Sequence, residues 1–227
     1  MYTLNGDNMN KHFSNIIVLN NKMSIEELIL KIEKNLKDLG YNITDNNTDR
    51  QIDFIYSNIN DFVVICSDYY KFENLSTNKS NIRKISKNTA QDVFMISSLE
   101  NNMAILEKYS FNKRVYDFIA LGEEDELETL EYDIVGKYSN RGIWKNFFVG
   151  RNTIKNLEEI LNKKNTYFRN DQLLLDILKL YGISEEAATY NLNDNIIDNE
   201  ISKITIFFNE WHRNCSVSIF YFKKNNV

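Results

Sequence analysis

The chain has 227 residues, of which 43% are hydrophobic and 13% aromatic, so it holds enough apolar mass to fold around a core. Its formal net charge of −5 argues against a protein whose main task is gripping nucleic-acid backbones, and it suits a partner with a basic surface. Two histidines, two cysteines and seven glycines leave few ingredients for most catalytic, metal-binding or phosphate-binding motifs.

The N-terminal part predicts a strand followed by a helix. Residues 12–19 have the apolar content of a strand. Ser24 and Glu27 then form an S-x-x-E capping box, which is typical of a helix start. Apolar residues follow at helical spacing, and Gly40 stands where a helix often ends in a left-handed residue.

A pair of strands is predicted next, at residues 51–57 and 61–67, with turn residues between them. The run 62–66 is apolar on both faces, which favours a position in the middle of a sheet. A polar loop over 73–81 then leads into a short helix at 82–90.

Three closely spaced strands follow, at residues 93–99, 103–109 and 114–121. The links between them are short, and short links join antiparallel neighbours. These strands are therefore predicted to form a meander.

The composition changes sharply after the meander. Residues 123–133, the acidic stretch, contain no base, whereas residues 136–151 contain no acid. We interpret this change as a functional loop or a lobe boundary within one domain spanning 1–227, with lobes 1–121 and 137–227 joined by residues 122–136. The acids of the stretch are Glu123, Glu124, Asp125, Glu126, Glu128, Glu131 and Asp133.

The C-terminal part predicts two helices, over 154–161 and 171–181, a short helical turn from Ser184 and a hairpin of strands 201–208 and 215–222. Strands mostly follow strands along the chain. The sequence therefore predicts an α+β fold with an antiparallel or mixed sheet of about eight strands and four to five helices.

Sites for reactive chemistry are sparse in this sequence. It contains neither G-x-x-x-x-G-K-[ST] nor G-x-G-x-x-G, and no G-x-S-x-G marks a serine nucleophile. His212 and Cys215 are close in sequence, but a four-ligand metal set would also need His12 and Cys66. We therefore expect no catalytic residue, no metal site and no cofactor.

Residues 141–151 combine three aromatic rings with three bases between glycines. Trp144, Phe147 and Phe148 can anchor this segment in the core, which the need to bury aromatic area favours. They can also serve as anchors for a partner, since such residues are common at binding hot spots.

Two stretches of the chain carry recognisable packing motifs: 61–117, with Ile-Ser-Lys at 85–87 and Val-Tyr-Asp at 115–117, and 167–173 with 180–183. They resemble a scattered group of uncharacterised bacterial proteins, some of which look like companions of secreted toxins. The likeness covers a minority of the chain and consists of packing motifs, so no site residue is carried over. Where a tight acidic turn would be expected, this chain has residues 100–102, Glu-Asn-Asn.

What the resemblance implies is a non-enzymatic bacterial protein, and we hypothesise an immunity-type inhibitor that binds a toxin. The acidic stretch would be its electrostatic face toward a basic partner protein, and Trp144, Phe147 and Phe148 would be its anchors. We expect a cytoplasmic chain that binds neither nucleic acid nor membrane. Two alternatives stay open: a hydrolase using carboxylates and a metal, and a scaffolding protein of a mobile element or phage.

Overall fold

The architecture is that of a computed structural model. The structure describes residues 13–19, 23–38, 40–44, 52–59, 62–67, 75–99, 103–123, 127, 141–146, 148–167, 169–183, 185–189 and 216–224.

The fold is α+β, as the sequence predicted, and its sheet is antiparallel throughout the pairs described. The strand order is β2-β8-β3-β4-β1-β5-β6-β7. The strands are β1 (Phe13–Leu19), β2 (Tyr41–Thr44), β3 (Ile52–Ile59), β4 (Phe62–Ser67), β5 (Val93–Leu99), β6 (Met103–Ser110), β7 (Val115–Leu121) and β8 (Ser216–Lys224).

Helices cover both faces of this sheet. They are α1 (Ile25–Asp38), α2 (Leu75–Thr89), α3 (Arg141–Trp144), α4 (Ile154–Asn162), α5 (Asn170–Lys179) and α6 (Glu185–Ala188), with a 3-10 turn at Lys164–Thr166. Five strands, in the order β4-β1-β5-β6-β7, carry the described core. Successive residues of a strand point to opposite faces, so each of these strands feeds two cores.

The first core lies between the sheet and helices α1 and α2. Ile16 and Val18 of β1 meet Leu28 of α1 and Ile82 and Ile85 of α2, and all five are fully buried. The capping box predicted for α1 is partly seen, since the Glu27 amide donates to Ser24 Oγ at 3.2 Å. The α1 prediction is therefore confirmed.

The second core lies on the opposite face of the sheet. Ile17 of β1 and Leu106 of β6 pack with Trp144, with Leu157 of α4 and with Leu174 of α5. Both faces of β1 are therefore buried, which explains the uninterrupted apolar run at residues 16–19.

One predicted boundary differs from the structure, and one strand was not predicted. Helix α2 begins at Leu75, so the loop predicted over 73–81 is wrong from that residue onward. Burial of Ile82 and Ile85 against the sheet stabilises a helix that its Asn and Ser content alone disfavours. Strand β2 was not predicted, and the strand predicted at 201–208 lies outside the described residues.

Strand β8, from the C-terminal part of the chain, pairs with two strands of the N-terminal part. It pairs with β2 on one side and with β3 on the other. A strand of the proposed C-terminal lobe therefore completes the sheet of the proposed N-terminal lobe, and the two stretches share one sheet. Neither edge of β8 is free in this arrangement.

Candidate anion-binding groove

A half-open cleft of about 820 Å³ lies between helix α2 and the end of the β6–β7 hairpin. This volume is within the range of roughly 300–1,000 Å³ that small-molecule sites occupy. Four of its described lining residues are cationic and none is acidic. We call this cleft the basic groove; its lining residues are Ser80, Arg83, Lys84, Lys87, Tyr109, Phe111 and Arg114.

One wall of the basic groove is the outward face of α2. Ile82 and Ile85 turn toward the sheet, so the positions between them turn outward. Arg83, Lys84 and Lys87 are exposed, and Lys87 follows Arg83 by four residues and Lys84 by three, the spacing that places side chains on one helix face. The packing that buries α2 therefore also aligns its bases.

The opposite wall is the turn that joins β6 to β7. Arg114 has a left-handed backbone with φ 53°, and its amide donates to the Phe111 carbonyl at 3.3 Å. The Phe111 amide donates to Asp92 Oδ1 at 2.9 Å, which fixes the turn to the start of β5. Tyr109 and Phe111 are half-buried and line the groove on this side.

A chain of contacts orients Arg83, on the α2 wall of the groove. Its guanidinium carbon lies 5.4 Å from the centre of the Tyr116 ring, within cation–π range. The Tyr116 hydroxyl donates to the carboxylate of Glu107, a fully buried residue of β6. Glu107 therefore positions the ring on which Arg83 rests.

A buried lysine lies behind the turn, on the other face of the sheet. Lys108 of β6 is fully buried, with its ammonium 4.0 Å from Asp92 Oδ2. The same ammonium is 4.7 Å from the Phe94 ring centre and 4.9 Å from that of Tyr181. It also donates to the Asn146 carbonyl at 3.4 Å.

Burial dominates the electrostatics of this pair. Desolvation lowers the pKa of Lys108 from 10.5 to about 7, although the Asp92 carboxylate acts in the opposite direction. Burial likewise raises the pKa of Asp92, against the attraction of Lys108 and the hydrogen bond from Phe111. Asp92 thus connects the buried lysine with the turn of the groove.

A second contact fixes the same turn from the side of α3. Lys113 Nζ donates to the Gly142 carbonyl at 2.7 Å. Trp144 Nε1 donates to Asp117 Oδ2 of β7 at 2.7 Å, and the Tyr181 hydroxyl donates to the Trp144 carbonyl. The turn is therefore held by Asp92 and by α3 together, which pre-organises one wall of the groove.

The basic groove combines like charges with aromatic surface. Cations held close together repel one another, and an anion between them relieves that repulsion. Arg and Lys side chains also donate charge-assisted hydrogen bonds to carboxylates and phosphates. The described lining includes no carboxylate, histidine or cysteine, so its chemistry is that of anion binding.

The predicted aromatic anchors fall in different places. Trp144 is fully buried in the second core and packs against Phe94 with ring centres 6.2 Å apart. It offers no surface to a partner, so the core interpretation holds for this residue and its assignment as a partner anchor is corrected. Phe148 is half-buried against Tyr181, with ring centres 4.8 Å apart, and Phe147 lies outside the described residues.

The acidic stretch is described only at two positions. Glu123 is exposed, while Leu127 is fully buried in the core beneath α1 and α2. The remaining acids of the stretch lie outside the described residues: Glu124, Asp125, Glu126, Glu128, Glu131 and Asp133. No part of the acidic stretch lines the basic groove as described.

No metal site was expected from the sequence. Most of the candidate ligands lie outside the residues that the structure describes. His12, His212 and Cys215 lie outside the described residues, and Cys66 belongs to β4. Within the part of the chain that the structure describes, no three His, Cys, Asp or Glu side chains converge as metal ligands.

The sequence interpretation missed the basic groove, although two signals were present. Residues 74–91 contain four bases and no acid, and residues 108–114 contain three bases and no acid. The first run was divided between a loop and a short helix, which hid the alignment of its bases. The second was treated as a strand end and a link.

Comparisons with known proteins give no relative from which a function could be inferred. No protein-family model matches this chain, and no curated protein and no solved structure is detectably similar to it. Among the described helices, none is both long and apolar enough to cross a membrane.

Proposed function

We propose that this chain is a non-enzymatic binding protein that docks a negatively charged partner in its basic groove. The observation that carries the proposal is the convergence of four cationic side chains and two aromatic rings on one cleft of an acidic protein. Such a local concentration of one charge focuses the field and attracts a ligand of opposite charge.

The immunity-type inhibitor of a bacterial toxin is the concrete form of this proposal that the sequence suggests. In this form, the toxin presents an anionic segment to the basic groove, and occupation of the groove blocks the toxin. The cytoplasm is the compartment we expect for such a chain. The acidic stretch is the competing docking surface, and it would select a basic partner instead.

Two labelled peptides, oligoglutamate and oligolysine, separate these surfaces by fluorescence anisotropy at low salt. The groove predicts that oligoglutamate binds and that added salt weakens the complex, because exposed charges are screened within about 8 Å at physiological ionic strength. Binding of oligolysine alone would refute the groove and assign docking to the acidic stretch.

A pair of matched variants locates the interaction. K84E/K87E reverses two exposed bases of the groove wall and should abolish oligoglutamate binding. K163E/K164E makes the same change in charge at exposed positions after α4, across the sheet, and should leave binding close to wild type. Equal losses in both variants would show an effect of net charge and not of the groove.

If the neighbouring gene encodes a toxin, inhibition is tested in cells by co-expression of the two proteins. The proposal predicts that the wild-type chain protects the cells and that K84E/K87E does not, at equal expression. A triple variant that reverses the charges of Glu123, Glu124 and Glu126 tests the acidic stretch in the same assay. Loss of protection in the triple variant alone would refute docking through the groove.

A further inference from the structure

We infer that the anion recognised by the basic groove is a nucleotide, whose phosphates contact the bases of α2 and Arg114 and whose base contacts the rings of Tyr109 and Phe111. This inference rests on the proposed function in taking the basic groove as the anion-binding site, and it names a nucleotide as the occupant in place of an anionic toxin segment. It names the chemical class of ligand that best matches the lining.

The positive charge of the basic groove is concentrated in a small volume. Arg83, Lys84, Lys87 and Arg114 converge on one cleft of about 820 Å³. A peptide distributes single carboxylate charges along its backbone, whereas a nucleoside triphosphate concentrates several charges within a few atoms. Each phosphate also offers several acceptor oxygens, which suit the planar donors of the two arginines.

The groove wall formed by the β6–β7 turn contains two aromatic residues. Tyr109 and Phe111 are half-buried on the side of the groove that faces α2, next to Arg114. Flat nucleobases stack on such rings without requiring a particular base, because every base has a π-face. A purely electrostatic site for carboxylates would gain nothing from these rings.

The volume of the cleft and the net charge of the chain favour a small anion over a long one. The cleft has the volume of a small-molecule site, and its half-open form suits a compact ligand. A long nucleic acid would also meet the rest of a chain whose net charge is −5. That repulsion favours a free nucleotide over a polynucleotide.

Competition against fluorescently labelled ATP tests the inference on the full chain. The competitors are unlabelled ATP, inorganic tripolyphosphate, adenosine, oligoglutamate and a short single-stranded oligonucleotide. We expect ATP to compete about tenfold better than tripolyphosphate, which corresponds to about 1.4 kcal/mol. We expect adenosine and oligoglutamate to compete more weakly than both.

Two variants connect this preference to the groove. K84E/K87E should weaken ATP and tripolyphosphate alike, by about tenfold or more. F111A should weaken ATP but leave tripolyphosphate unchanged, a pattern that a merely unfolded turn would not produce. The Phe111 amide that bonds Asp92 is kept in this variant.

The outcomes separate the inference from the proposed function. Tripolyphosphate or oligoglutamate competing as well as ATP would overturn the nucleotide and leave an anion-binding groove in place. Tighter competition by the oligonucleotide would replace the free nucleotide by a nucleic-acid strand, which also overturns the inference. If no anion binds, the inference and the proposed function both fail.

Discussion

The buried Lys108 makes the stability of this protein depend on pH in an unusual direction. Its folded-state pKa is about 7, whereas the unfolded chain has the ordinary value of 10.5. Between these values the unfolded chain holds a proton that the folded chain has lost. The free energy of unfolding therefore rises with pH across this window, because the cost of burying the ammonium is removed.

The magnitude follows from one proton. A full difference of one bound proton changes the free energy of unfolding by about 1.4 kcal/mol for each pH unit. Over two units the limit is about 3 kcal/mol, and the folded-state pKa of about 7 already includes the attraction to Asp92. We expect an increase of about 1–3 kcal/mol between pH 7.5 and pH 9.5.

Urea unfolding at pH 7.5, 8.5 and 9.5 measures this increase, with K108M as the matched variant. Methionine keeps an apolar chain against Phe94 and Tyr181 but cannot titrate, so the slope should disappear. D92N/K108M removes the partner charge as well and should be equally flat. The rise of the pKa of Tyr167 to about 12 is common to all these proteins and cancels in the comparison.

Parallel profiles of wild type and K108M would refute the reasoning. They would show that Lys108 reaches solvent or keeps its proton in the folded state. A fall in stability over this range in the wild type alone would contradict the sign directly.

Further predictions concern packing and backbone conformation. W144F should lower the free energy of unfolding by about 2–3 kcal/mol, because it removes the donor to Asp117 and shrinks a fully buried side chain; a near-neutral effect in urea unfolding would contradict this. G40A and G182A both place a Cβ at positive φ, 88° and 78°, which costs about 1–2 kcal/mol. G182A should cost more, since its Cβ would stand 3.1 Å from Val149 Cγ1 whereas the space at Gly40 is open. Equal melting temperatures for the two glycine variants would show that the Val149 contact relaxes freely.

Local signals predicted the elements that have strong patterns of their own. The serine cap and the glycine end define α1, and closely spaced apolar runs with short links define β5, β6 and β7. The start of α5 is less clear from the sequence, since its N-cap residue is Arg169 and Asp171 is buried against that arginine. A carboxylate at a helix start looks the same in sequence whether it caps the helix or pairs with a neighbouring base.

The groove could not be predicted in the same way, because its two walls are distant in sequence. Lys84 and Arg114 line the same cleft only because α2 packs on β5 and because Val93 pairs with Tyr109 across the β5–β6 ladder. Sequence separation hides such a meeting until register and packing are known. The fate of Trp144 was also undecided by sequence, since an aromatic residue serves equally well in a core and at an interface.

Chemical-shift mapping tests the central claim most directly. The ¹⁵N-labelled chain is titrated with ATP and, separately, with oligoglutamate, and the amide shifts are followed residue by residue. The account predicts that the largest changes fall at residues 80–87 and 109–114, on the two walls of the groove. Changes centred on Glu123 or on α4, or none with either anion, would contradict it.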